Sequence, residues 1–136
     1  ALAARFITAP ETLDLVVGSN LFGDILTDLG GALQGSLGIP PSGNINPEGR
    51  YPSMFEPVHG SAPDIAGKGI ANPIAAIWAA SMMLDHLGHE DAGRLLLEAI
   101  EAVTGAGQVL TPDLGGTATT EQVGDAIRAQ IYALSK

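Results

Sequence analysis

The sequence predicts an α/β fold of strands with packed helices, and three observations lead there. A short apolar run rich in β-branched residues, 13–17, is bounded by charge and Gly18, as a buried parallel strand is. A helical pattern follows it, and three more occupy the second half of the chain. Hydrophobic residues make up 46% of the total, yet they include only one Trp, two Tyr and three Phe. A core of Ala, Leu, Ile and Val suits helices packed closely on a sheet. With 136 residues the chain falls in the one-domain range and can bury such a core.

Taken in order, residues 1–7 read as a helix already under way, closed by Ala9-Pro10 because the residue before a proline is pushed out of the helical region. That start, without Met, gives the expectation that the chain is the C-terminal part of a longer polypeptide. After the strand at 13–17, Ser19 and Asn20 can cap a helix. Its apolar residues Phe22, Ile25, Leu26, Leu29 and Leu33 share one face. Residues 35–51 read as loop with one strand near 37–39, and 52–58 as a second short strand.

Pro73 suits the first position of a helix, where its missing N–H is no loss. Residues 74–87 are apolar nearly all round, so that helix belongs in the interior or in an interface. Gly88 ends it. Residues 89–104 form an amphipathic helix with Leu95, Leu96, Ala99, Ile100 and Val103 inward. A turn-rich stretch then leads to TTEQVGDAIRAQIYAL, a last helix capped by Thr119 or Thr120.

Charge and composition exclude several functions. Fifteen acids against six bases give a net charge of −9, which argues against a nucleic-acid partner and is compatible with divalent cations. No arginine cluster is available for an anionic substrate, so carboxylate-binding arginines must come from elsewhere. Without cysteine there is no disulfide framework or thiolate metal site, and a reducing, cytoplasmic location is expected. The longest apolar run, 74–84, is too short to span a bilayer, and no basic segment opens the chain as a signal peptide would.

Two strings carry chemistry. In SNLFGDILTD, residues 19–28, Asp24 and Asp28 are one helical turn apart with no Lys or Arg between Arg5 and Arg50. Like charges at that spacing repel unless something neutralises them. A hard divalent ion, Mg²⁺ or Mn²⁺, is one remedy. The other reading is that both acids merely favour the positive end of a helix.

In EPVHGSAPDIAGKGIANP, residues 56–73, Gly60 allows close backbone approach and Ser61 can bond a phosphate or cap a turn. Asp64 suits the hydroxyl hydrogens of an adenosine ribose, and it would repel a 2′-phosphate. His59 can stack on adenine, and Asn72 offers an amide to its edge. As a bare pattern, His59 can equally be a structural histidine and Asp64 a helix cap. No GxGxxG fingerprint is present. His86 and His89 read as surface residues, Met82, Met83 and Trp78 as packing, and Lys68 as solvated.

Both strings closely resemble segments of the isocitrate/isopropylmalate dehydrogenase superfamily. GNINPEGRYPSMFEPVHG (43–60) and GGTATTEQVGDAI (115–127) are most similar to its tartrate/D-malate dehydrogenases. The resemblance runs from Leu13 almost to the end. It implies the C-terminal portion of the isopropylmalate dehydrogenase-like fold, in a two-domain β-decarboxylating enzyme. Within residues 1–136 it implies a metal-site helix at 19–33, an NAD loop at 56–73 and C-terminal helices at 73–134.

The implied metal ligands are Asp24 and Asp28, and the implied NAD contacts are His59, Gly60, Ser61, Ala62, Asp64 and Asn72, with Glu56 near the nicotinamide. The implied reaction is metal-assisted oxidation of a small 2-hydroxy acid by NAD, with loss of CO₂. The family's general-base lysine, general-acid tyrosine and substrate arginines find no match here, so no catalytic residue is assigned and no turnover is expected of this chain alone. A homodimer is implied for the full-length protein, the partner subunit supplying a further aspartate to the metal. An isopropylmalate dehydrogenase, or a remnant that binds metal or nucleotide without catalysis, are the alternatives.

Overall fold

Proline decides where the first helix stops. In the computed structural model, which describes residues 1–136, Ala9 has left the helical region (φ −155°, ψ 56°) ahead of Pro10. The chain falls into two units, residues 1–37 and 38–136. In the first, α1 (Leu2–Thr8) is followed by a 3₁₀ turn (Pro10–Thr12) and α2 (Asn20–Leu33). Arg5 Nε donates to Thr12 Oγ1 at 2.8 Å, folding the turn back on α1. α1 lies against α2 where Gly30 faces the Phe6 ring. Ser19 occupies the cap position of α2 in extended conformation, although its side chain makes no capping bond.

The strand expected at 13–17 does not form. Residues 13–18 carry no ladder, and Leu15 and Val17 are 86% and 88% exposed. β-Propensity reports a side chain that fits a pleated surface, and a strand exists only beside another strand. The strands that do form, 41–44 and 54–57, pair with each other, and no strand in the first unit runs beside 13–17. On α2, Leu26 and Leu29 are half-buried, while Phe22, Ile25 and Leu33 remain exposed.

In the second unit, β1 (Pro41–Asn44) and β2 (Met54–Pro57) pair antiparallel with Pro41 opposite Pro57 and Asn44 opposite Met54. The first strand therefore lies at 41–44 rather than near 37–39. Residues 37 and 38 turn, and the Pro40-Pro41 pair forces the extended backbone only beyond them. The second strand falls inside the expected span.

Behind the hairpin lie α3 (Ile74–His86), α4 (Glu90–Ala106) and α5 (Thr120–Leu134). α3 packs on both strands and on α4, and α4 packs on α5. Ile74, Ala99, Ile100, Val103, Val123 and Ile127 form the core, with Trp78 packed against it. The periodicity of α4 is borne out: Ala99, Ile100 and Val103 are buried, and Leu95 and Leu96 half-buried.

Gly88 (φ 81°) ends α3 and Gly107 (φ 66°) ends α4, each in the left-handed conformation that glycine adopts without strain. Thr119 caps α5 through a full capping box: its hydroxyl accepts from Gln122 N, and Gln122 Oε1 accepts from Thr119 N. The whole is a partial α/β fold. No helix is long and apolar enough to cross a membrane.

Candidate functional site

The candidate nucleotide loop leaves β2 at Pro57 and runs to α3 without a helix or strand of its own. Val58 N donates to Pro40 O at its entry. His59, Gly60, Ser61, Ala62 and Asp64 are all exposed, as are Glu56 and Lys68, whereas Asn72 is half-buried. His59 Nδ1 lies 3.0 Å from Gly60 O, so the tautomer protonated at Nδ1 makes this bond and leaves Nε2 as an acceptor. Ala62 has φ 41°, the one non-glycine residue in the left-handed region. That conformation costs an L-residue about 1–2 kcal/mol. Its carbonyl accepts from Ile65 N, and Ile65 O accepts from Lys68 N, so two successive turns shape the loop.

The exit of the loop is tied down from two sides. Thr120 N donates to Gly69 O at 2.9 Å, and Thr120 Oγ1 donates to Ala71 O at 2.5 Å. Asn72 Nδ2 donates to Asp113 Oδ2 at 2.9 Å, and Asn72 Oδ1 accepts from Ile74 N at 3.0 Å. Asn72 thus helps cap α3 as well as closing the loop. An asparagine placed just before Pro73 and an apolar helix was a readable signal for that capping. Its link to Asp113, 41 residues away, and the grip of Thr120, 49 residues from Ala71, had no local signal at all.

The candidate metal carboxylates stand on α2, in the other unit. Asp24 and Asp28 are exposed, and the only neighbouring side-chain bond is from Thr27 Oγ1 to the backbone carbonyl of Asp24. The three ion pairs of the chain, Arg94 with Asp91 and Glu98 and Arg128 with Asp125, leave Asp24, Asp28 and Asp64 untouched. No group of three or more His, Cys, Asp or Glu side chains is placed to hold a metal ion. Two hard oxygen donors one turn apart match the contribution a protein makes to Mg²⁺ or Mn²⁺, which keep their remaining positions for water or substrate. The carboxylates fit that part of a site.

A family model for isocitrate/isopropylmalate dehydrogenase matches residues 1–127. The chain belongs to that family. Among its relatives, the probable tartrate dehydrogenase/decarboxylase of Bacillus subtilis (strain 168) is 60% identical over 134 residues, which are 98% of this chain and 38% of that protein. The D-malate dehydrogenase [decarboxylating] of Escherichia coli (strain K12) is 61% identical over 131 residues, 93% of this chain and 36% of that protein. The crystal structure of isocitrate dehydrogenase from Methylococcus capsulatus superposes with a TM-score of 0.90 at 43% identity, covering 96% of this chain and 38% of that one.

This member of the isocitrate/isopropylmalate dehydrogenase family spans well under half the length of the relatives it matches. The resemblance carried by the strings at 19–28 and 56–73 is borne out at the level of family and fold.

Proposed function

We propose that the protein containing this chain oxidises and decarboxylates a 2-hydroxy acid such as tartrate or D-malate with NAD and Mg²⁺ or Mn²⁺. This chain contributes two metal ligands and the nucleotide loop. The observation that carries the reading is the 60% identity, over 98% of the chain, to a protein whose name joins tartrate dehydrogenase and decarboxylase.

Asp24 and Asp28 hold the divalent ion through carboxylate oxygens and lose their mutual repulsion in doing so. Asp64 accepts the hydroxyl hydrogens of the adenosine ribose and disfavours a 2′-phosphate by charge. His59 stacks on the adenine, Asn72 addresses its edge, and the exposed backbone at Gly60, Ser61 and Ala62 lets the nucleotide approach closely. When bound, the metal polarises the substrate's oxygen atoms and NAD accepts the hydride. The general base, the general acid and the substrate arginines come from outside these 136 residues, and a partner subunit completes the metal site. Alone, the chain has no turnover.

The test is NADH formation by the full reading frame with Mn²⁺, offering D-malate, tartrate and 3-isopropylmalate separately. Metal-dependent turnover of D-malate or tartrate is expected. Asp24→Asn and Asp28→Asn should each lose about 100-fold in activity or more and bind Mn²⁺ more weakly in calorimetry. Turnover indifferent to metal or to both aspartates would refute the reading, and turnover of 3-isopropylmalate alone would transfer the protein to that substrate.

A further inference from the structure

We infer that Asp113 and Thr120 are positioning residues for the nucleotide loop: Thr120 clamps its exit, and Asp113 fixes the direction of the Asn72 amide so that an adenine is preferred to a 6-oxopurine. The inference rests on the reading that this loop holds NAD.

The clamp is built on rigid parts. Thr120 is the first residue of α5, where a helix leaves its N–H groups without intrahelical partners. That N–H goes to Gly69 O and the hydroxyl to Ala71 O. α5 is itself anchored by Val123 and Ile127, both essentially inaccessible in the core. Asp113 sits in a 3₁₀ turn (Pro112–Leu114) that follows the buried Thr111. The turn is locked by Gly116 N donating to Thr111 O and Ala118 N donating to Leu110 O.

The amide of Asn72 has two opposite ways to face, with oxygen and nitrogen exchanged. Both of its neighbours demand the same one. An ionised carboxylate only accepts, so Asp113 takes an N–H from Nδ2. The Ile74 N–H only donates, so it takes Oδ1. Each end keeps one unused capacity, an N–H on Nδ2 and a lone pair on Oδ1. That is a donor beside an acceptor, which complements the amino group and ring-nitrogen acceptor of adenine. A 6-oxopurine presents a carbonyl oxygen in place of that amino group, and there it meets the lone pair of Oδ1.

The test is calorimetric binding of NAD and of its hypoxanthine analogue, deamino-NAD, to the full-length protein. Amide hydrogen exchange across residues 69–74 is followed in parallel. Wild type is expected to prefer NAD. Asp113→Ala should shrink that preference about tenfold, the size of one hydrogen bond to a charged group. Asp113→Asn, whose amide oxygen still accepts from Nδ2, should retain it. Thr120→Val should weaken both dinucleotides alike, about fivefold, and speed exchange across 69–74, while Thr120→Ser should restore both.

An unchanged NAD to deamino-NAD ratio in Asp113→Ala overturns the orienting role. That holds even if both affinities fall together, since equal losses report only general loosening. Unchanged affinity and exchange in Thr120→Val overturn the clamp. A wild-type protein that binds neither dinucleotide refutes the NAD reading itself, and this inference falls with it.

Discussion

Gly93→Ala would place a methyl group at a close contact between α4 and α3. Its Cβ would overlap Asp85 Oδ1 and stand 2.9 Å from Ser81 O. The two obstacles differ in kind. The Asp85 carboxylate ends an exposed side chain that can swing aside, but the Ser81 carbonyl is helix backbone and moves only if α3 moves. At the same spot Ser81 Oγ donates to Gly93 O at 2.8 Å in a buried bond, stitching the helices together.

Overpacking of this kind costs about 1–3 kcal/mol, and parting the helices weakens a hydrogen bond of about 1 kcal/mol. Alanine returns about 1 kcal/mol in helix propensity. The net expectation is a loss of about 2 kcal/mol, roughly the sum of the packing and hydrogen-bond losses less that gain. Denaturant unfolding of the full-length protein reads it, with hydrogen exchange in α3 and α4 localising the effect. Asp85→Ala added to Gly93→Ala should recover little, because the backbone carbonyl remains. A single variant as stable as wild type, or full rescue by Asp85→Ala, would refute the reasoning and show that only a flexible side chain stood in the way.

Ala62→Gly relieves left-handed strain of about 1–2 kcal/mol but adds about 0.4–1 kcal/mol of freedom to the unfolded chain, so stability should rise by about 0.5–1 kcal/mol. Ala62→Val, β-branched at a positive φ, should lose about 1 kcal/mol relative to Ala62 and weaken NAD binding; equal stability and affinity in thermal melts and calorimetry would contradict the conformation. Thr119→Ala removes the hydroxyl half of the capping box and should cost about 1 kcal/mol. Exchange at the Gln122 amide, which that hydroxyl accepts from, should rise most, and a uniform change along α5 would tell against the cap.

The helices of the second unit were legible because their information is local. The run at 74–87, the stripe of Leu95, Ala99, Ile100 and Val103, and the threonine-led start of the last helix each sit within one element, and each stands where expected. The strand at 13–17 failed for the opposite reason. Four apolar residues in five, two of them β-branched, describe what a strand looks like, but not whether another strand is there to receive it. At 41–44 the strand was displaced by the Pro40-Pro41 pair, whose restriction of the backbone was readable but was set against the wrong residues.

The site divides the same way. The exposure of His59 through Asp64 follows from a polar string punctuated by Gly and Pro, and that of Asp24 and Asp28 from charged positions on a helix. The attachment of Asn72 to Asp113 does not, because residues 41 apart meet only when helices lying between them in the chain have packed.

The grip of Thr120 on Ala71 closes a segment whose ends are 49 residues apart, and that sets an order in time. Closing a long segment is entropically expensive, while α3, α4 and α5 are sequential neighbours whose contacts close much shorter ones. The helical hairpins therefore assemble first, and the exit of the loop is fastened only after α5 has docked. On the proposed reading of residues 56–73 as the nucleotide loop, binding competence is then expected to come last, and NAD added early in refolding is expected to leave the rate of helix assembly unchanged.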